Sequence, residues 1–181
     1  KGTMKKAIFL DRDGIINQIC RHPELKDKVG KECQDPLNIF EFRIIPGVKE
    51  AISKFKKRGF EIVVVSNQPG LVKGFYKEEV LKQINQQIET ELGITQVYCC
   101  LHHPDYTGEC NCRKPKPGLI LNAAKDLNIN LTESFMVGDQ ETDVIAGSAA
   151  GCKAVLISNK KTDSSADYNI RNLLELIKFL G

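Results

Sequence analysis

Asp11 and Asp13 stand two residues apart behind the apolar run Ala7-Ile8-Phe9-Leu10, and Asp139 and Asp143 stand four apart behind Phe135-Met136-Val137. Each pair occupies a turn that leaves the C-terminal end of a short buried strand. In an open parallel sheet, ligands bind in the crevice outside those ends. Side by side, the two turns gather four carboxylates into one crevice. Such crowded negative charge repels itself unless a cation sits within it. An oxygen-only set with room for water and a phosphate suits Mg²⁺. The spacing therefore predicts Mg²⁺-dependent phosphate chemistry.

In an extended turn, residues two apart face one side, and Gly14 permits the turn to be tight. Asp11 can then attack phosphorus in line to form an aspartyl-phosphate. Asp13 can protonate the leaving oxygen and later activate water. Ser66-Asn67-Gln68 ends a second apolar run, where a hydroxyl and backbone N–H groups can bind phosphoryl oxygens; an ordinary turn closed by Pro69-Gly70 is the competing reading. Lys114 can neutralise a phosphoryl group, and Arg113 can grip an anionic or polyhydroxy substrate in a fork; a solvated basic surface competes. One of Asp139 and Asp143 can reach Mg²⁺ directly, while the other can hold a bound water or the lysine. Capping of the following helix competes, most strongly for Asp143.

A second constellation is Cys100-Leu101-His102 followed by Cys110-Asn111-Cys112. Two one-residue-spaced pairs offer four soft or borderline ligands, which suits a closed, structural Cys₃His zinc site. Cys99 and His103 are the rival ligands. Cys99 belongs on the opposite face of its strand, which favours Cys100 and His102. A closed site leaves no position for catalysis, so the zinc is expected to fold the loop and fix Arg113 and Lys114, which follow directly. Cys152 reads as a small core residue, and Cys20 and Cys33 as thiols of a long loop whose spacing makes no metal site.

The elements that must position these residues alternate. Strands are predicted at Lys6–Leu10, 60–65, 96–100, 134–137 and 154–157. Helices are predicted after Pro46-Gly47 as far as Gly59, over 77–92, over 119–127 and through 144–150. A last helix runs through Ile170, Leu173, Leu174, Ile177 and Leu180. The alternation implies right-handed βαβ units and an α/β, doubly wound parallel sheet. Two stretches fit neither period: 17–43, read as a cap over the active site, and 101–116, read as the metal loop.

With 181 residues, the chain fits one domain, over 4–181, with a real core. A net charge of +3 with scattered lysines argues against nucleic acid. No apolar run approaches the length of a membrane span, and four apolar residues before Asp11 are too few for a signal peptide. Lys1-Gly2-Thr3 before Met4 reads as an expression remnant. Seven cysteines, an odd number without an export signal, argue for reduced thiols and a cytoplasmic location. A monomer is the expectation for this size.

Asp11-Arg12-Asp13-Gly14-Ile15-Ile16-Asn17, Ser66-Asn67-Gln68, the Cys-x-His…Cys-x-Cys-Arg-Lys-Pro loop and Gly138-Asp139…Asp143 occur in the order seen in haloacid-dehalogenase-like phosphatases, which the chain resembles from about Lys6 to Ile157. It is most similar to the branch that holds heptose bisphosphate and histidinol-phosphate phosphatases. The resemblance implies a Rossmann-like core without a large cap domain, and Mg²⁺-dependent phosphomonoester hydrolysis with Asp11 as nucleophile and Asp13 as acid and base. It implies that Ser66 and Lys114 stabilise the phosphoryl group and that Arg113 recognises a small phosphorylated sugar. Mg²⁺ falls to the Asp11 carboxylate, the Asp13 main-chain carbonyl and Asp139, and zinc to Cys100, His102, Cys110 and Cys112. The chain departs from the branch after the first motif, where Gln18-Ile19-Cys20-Arg21-His22-Pro23 opens a longer insert, and at Gln140, where many relatives carry a basic residue. Histidinol phosphate is the alternative substrate, and a non-catalytic phosphosugar-binding module the alternative of another class.

Overall fold

The computed structural model of the protein describes residues 3–160 and 163–181. Lys1 and Gly2, two of the three residues expected to be an expression remnant, lie outside the described residues. Along the chain come β1 (Lys6–Leu10), β2 (His22–Lys26), β3 (Glu32–Cys33), α1 (Val48–Lys57), β4 (Phe60–Asn67), α2 (Glu78–Leu92), β5 (Gln96–Cys100), α3 (Pro104–Thr107), α4 (Gly118–Leu127), β6 (Phe135–Gly138), α5 (Glu141–Ala150), β7 (Lys153–Ile157) and β8 (Tyr168–Ile170). Six of the strands form one sheet in the order β5-β4-β1-β6-β7-β8, and β2 pairs with β3 in a small hairpin. Every pairing in the large sheet is parallel.

The sheet is covered on both faces, which explains why its central strands read as unbroken apolar runs. Successive side chains of a strand point to opposite faces. Ile8 and Leu10 accordingly pack with Ile62 and Val64 beneath α1 and α2, through Ala51, Phe55, Ile84 and Ile88. Ala7 and Phe9 pack on the other face with Val63 and Val65 beneath α4 and α5, through Leu119, Ile120, Ala123 and Ala146. The chain winds outward from β1 to β4 and β5, then returns to place β6 on the other side of β1. That reversal puts the crevice beside the end of β1, where Leu10 pairs with both Val64 and Val137.

The C-terminal expectation is corrected. Ile170 belongs to β8, which adds a sixth parallel strand beside β7, and Leu173–Phe179 is a 3-10 helix rather than an α-helix. The apolar spacing that suggested one helix is shared between two elements. Asn172 breaks the run by accepting a hydrogen bond from the Glu175 backbone at the helix start, as its residue type favours. The long 17–43 segment is not structureless either, since it carries the β2–β3 hairpin.

Phe55 is wholly buried on α1 at the centre of one core face. Phe55→Ala is expected to destabilise the protein by about 3–5 kcal/mol, read as a lower urea midpoint with little change in slope.

Candidate active site

β1 ends by delivering Asp11, whose backbone N–H donates to Val137 O at 3.0 Å, so the first carboxylate turn is tied to the end of β6. Gly14 lies in the left-handed region at φ 87°, and a Cβ there would collide with the Asp139 carboxylate. Only glycine lets the two acidic turns approach this closely. Oxygen atoms of Asp11, Asp139 and Asp143 converge within 4.8 Å of one another, in a pocket of about 320 Å³ that Asp13, Asn67, Arg113 and Lys114 also line.

Lys114 supplies the local cation. Its side chain is almost fully buried, and Nζ donates to Asp11 Oδ1 at 2.8 Å and to Val65 O at 2.8 Å, with Asp143 Oδ1 at 2.7 Å. Burial alone would lower the lysine pKa; Asp11 and Asp143 overcome that and raise it above the ordinary value. The Lys114 main chain is fixed by Asn67, which donates through Nδ2 to the carbonyl and accepts the N–H at Oδ1, both at 3.0 Å. Asp143 does two things at once: it holds the lysine and, through Oδ2, accepts the Gln140 N–H in a capping box at the start of α5.

The negative charge still exceeds what one lysine can offset. Burial pushes the Asp11 carboxyl up to about 7, against the pull of Lys114 and with the help of Asp143 and Asp13. Burial, then the charge of Asp143, pushes Asp139 up to about 6. Two carboxyls that resist ionisation beside a polar pocket fit a divalent cation with oxygen ligands.

Asp13 is held apart from this cluster by a fan of donors. Arg12 reaches Oδ1 through Nε at 3.3 Å and Nη2 at 3.0 Å, Asn17 Nδ2 reaches it at 2.9 Å, and Gln68 Nε2 reaches Oδ2 at 2.6 Å. Gln68 also donates to Ser66 Oγ at 2.8 Å and accepts from Tyr76 O–H at 3.1 Å. Ser66 and Gln68 are buried. Of the Ser66-Asn67-Gln68 stretch expected to meet the phosphoryl oxygens, only Asn67 lines the pocket, and Gln68 spends its amide on Asp13 and Ser66. The buried Arg12, Asn17 and Tyr76 were not singled out from the sequence; their contribution is hydrogen bonding within the fold, which leaves no spacing to read.

The four expected zinc ligands come together. Cys112 Sγ lies 3.1 Å from Cys100 Sγ, 3.5 Å from Cys110 Sγ and 3.2 Å from His102 Nδ1, and Cys100 Sγ lies 3.7 Å from Cys110 Sγ. The donor set, three thiols and one imidazole at a single point, is that of a structural zinc site. Cys99 and His103 lie outside this cluster; His103 instead caps α3, accepting the Asp105 N–H at Nδ1. The loop is tied to the active site through Arg113, whose Nη1 donates to His102 O at 3.2 Å. The 17–43 segment brings Ile19, Glu32, Gln34 and Asp35 to the pocket wall. Burial and Asp13 push Asp35 up to about 6.

A family model described as HAD-hydrolase-like matches residues 111–173. A D-glycero-beta-D-manno-heptose-1,7-bisphosphate 7-phosphatase of Pasteurella multocida is 35% identical, covering 98% of this chain and 97% of its own. A protein of the same name from Helicobacter pylori is 37% identical over 96% of this chain and 98% of its own. Among solved structures, a D,D-heptose 1,7-bisphosphate phosphatase of B. bronchiseptica, complexed with magnesium and phosphate, superposes with a TM-score of 0.77 at 25% identity, over 97% of each chain.

The raised carboxyls give a pH test. For groups whose pKa is raised by folding, the stability they contribute is complete below the ordinary carboxylate range and is lost as pH rises through about 6 for Asp139 and about 7 for Asp11. A cation that binds the ionised pair restores it. The melting temperature gained on adding Mg²⁺ is expected to be larger at about pH 8 than at about pH 5, and an equal gain at both would show that the ion binds elsewhere.

Proposed function

The chain belongs to the haloacid-dehalogenase-like hydrolases, in the group of the heptose bisphosphate phosphatases, and from that premise we propose that it removes the 7-phosphate of D-glycero-D-manno-heptose 1,7-bisphosphate, whose β anomer names its relatives. The observation that carries this reading is the buried Lys114 ammonium held between Asp11 and Asp143 in the wall of the pocket that Asp139 also lines. That is an electrostatic seat for a phosphoryl group built from positioned charge.

In this reading Asp11 attacks phosphorus, the new bond to its carboxylate oxygen forms as the ester P–O bond breaks, and Asp13 gives its proton to the departing sugar oxygen. Water then attacks the aspartyl-phosphate while Asp13 takes a proton back, so phosphate leaves and both side chains are restored. Lys114 neutralises the transferring group, and Asp143 and Asn67 keep it in place. Arg12, Asn17 and Gln68 fix the Asp13 carboxylate. Mg²⁺, for which Asp11, Asp139 and the Asp13 carbonyl are the proposed ligands, would supply charge neutralisation at the phosphoryl oxygens. Arg113 is proposed to grip the sugar or its second phosphate. A cytoplasmic, monomeric protein belongs to the same proposal; among the described residues no helix is long and apolar enough to cross a membrane.

Asp11→Asn is expected to lower phosphate release with Mg²⁺ on the order of 10⁴-fold. Equal release by wild type and variant would leave a phosphosugar-binding module. A panel holding heptose 1,7-bisphosphate, other phosphorylated sugars and histidinol phosphate should show the highest kcat/KM for the heptose. Histidinol phosphate is a real competitor there, because Glu32 and Asp35 on the pocket wall suit a cationic substrate.

Zinc on Cys100, His102, Cys110 and Cys112 is the remaining element of the proposal. Cys110→Ser should cost one equivalent of zinc by elemental analysis. It should also cost activity, since Lys114 follows Cys112 by two residues. Unchanged zinc content would eliminate this ligand set.

A further inference from the structure

The 17–43 segment leaves and rejoins the body of the protein through a narrow neck. Ile45 N–H donates to Ile16 O and Gln18 N–H donates to Arg43 O, both at 2.9 Å, and Asn17 and Ile44 form an antiparallel bridge. The next rung outward sets Cys20 opposite Glu41, with the thiol donating to the Glu41 carbonyl at 3.6 Å. At that rung three metal-ligating side chains meet. A sulfur, a ring nitrogen and a carboxylate oxygen of Cys20, His22 and Glu41 lie within 4.8 Å of one another.

His22 is the informative member. Nε2 lies 3.0 Å from Glu41 Oε2. Yet it is shielded from solvent and has no hydrogen-bond partner among the described residues. At 3.0 Å a missing hydrogen bond means that the nitrogen is not aimed at the oxygen. Both residues belong to the cluster whose ligand atoms lie within 4.8 Å of one another. On the far side of the ring, Nδ1 faces Glu24 Oε1 at 3.4 Å. A carboxylate there favours the tautomer with its proton on Nδ1 and leaves the Nε2 lone pair for a ligand. Glu41 is braced in the same manner: Oε2 accepts the Leu37 N–H and Oε1 accepts Asn38 Nδ2, both at 2.9 Å. A carboxylate has lone pairs to spare beyond these two bonds. Cys20-Arg21-His22 also repeats the spacing of Cys100-Leu101-His102, the spacing by which extended backbone turns two ligands to one side.

We propose that Cys20 Sγ, His22 Nε2 and Glu41 Oε2 form a second zinc site, which clasps the neck of the 17–43 segment. Thiolate, imidazole and carboxylate are all zinc ligands, and three protein ligands leave a fourth position for water. On binding, the Cys20 proton is released to solvent and the sulfur exchanges its bond to the Glu41 carbonyl for the metal. The clasp lies outside the Asp11 pocket. Its role is to tie together the two ends of the segment that carries Gln34 and Asp35 to the pocket wall.

The test is a titration of the chelator-stripped full chain with Co²⁺, without oxygen and in excess Mg²⁺, following the thiolate-to-cobalt absorption band. A carboxylate site produces no such band, so the Asp11 pocket stays silent. Wild type is expected to take up two thiolate-bound equivalents, and Cys20→Ser only one. Glu41→Gln should retain the second uptake with weakened affinity, and it replaces Cys20→Ser as the informative variant should the serine protein fail to fold. A wild type that saturates at one equivalent, or a Cys20→Ser protein that still takes two, would overturn the proposal and leave a plain His22–Glu41 ion pair.

Discussion

The interaction on which the rest of the structure depends is the Lys114 ammonium shared between Asp11 and Asp143. A cation buried this deeply is stable only when its partners are in place, and removing one leaves an uncompensated charge inside the protein. The contact therefore constrains four regions together. β1 must present Asp11, α5 must carry Asp143 in its first turn, β4 must end so that Val65 O and Asn67 meet the lysine, and the cysteine loop must lead into it. Sheet order is what lets these points meet, because β4 and β6 flank β1 and their C-terminal ends open on the same side.

The same buried setting separates the two leading carboxylates. Burial, with the like charge of Asp143 and Asp13, raises the Asp11 pKa against the pull of Lys114. Asp13, two residues on, is surrounded by donors from Arg12, Asn17 and Gln68. Two chemically identical side chains thus enter different environments within one turn, and the nucleophilic role proposed for Asp11 needs a cation to offset the burial and like charge around it. Tyr76, by donating to Gln68 Oε1, extends that arrangement to the loop after β4.

Much of this was legible in the sequence. The sheet strands stood out because burial on both faces writes continuous apolar runs, and the carboxylate turns stood out because they follow those runs. The cysteine loop was readable from local spacing alone. Other features depend on distant partners and leave no local mark. β8 is a strand because β7 offers it an edge, while its residues also fit the rhythm of a helix. Gln68 sits in a stretch that looks suited to phosphate, but its amide is claimed by Asp13 and Ser66. Cys20 and His22 meet Glu41 only because the neck of the long segment brings separated residues to one rung.

That neck has a consequence for how such proteins can diverge. The segment departs and returns on neighbouring rungs, so its ends stay together whatever lies between them. The entropy needed to close a loop rises only with the logarithm of its length. Residues can accordingly be gained, lost or exchanged beyond the neck while β1 and its aspartates keep their positions. Reaction chemistry and choice of substrate reside in separately replaceable parts of one chain, and a lineage can rewrite the second without reopening the first.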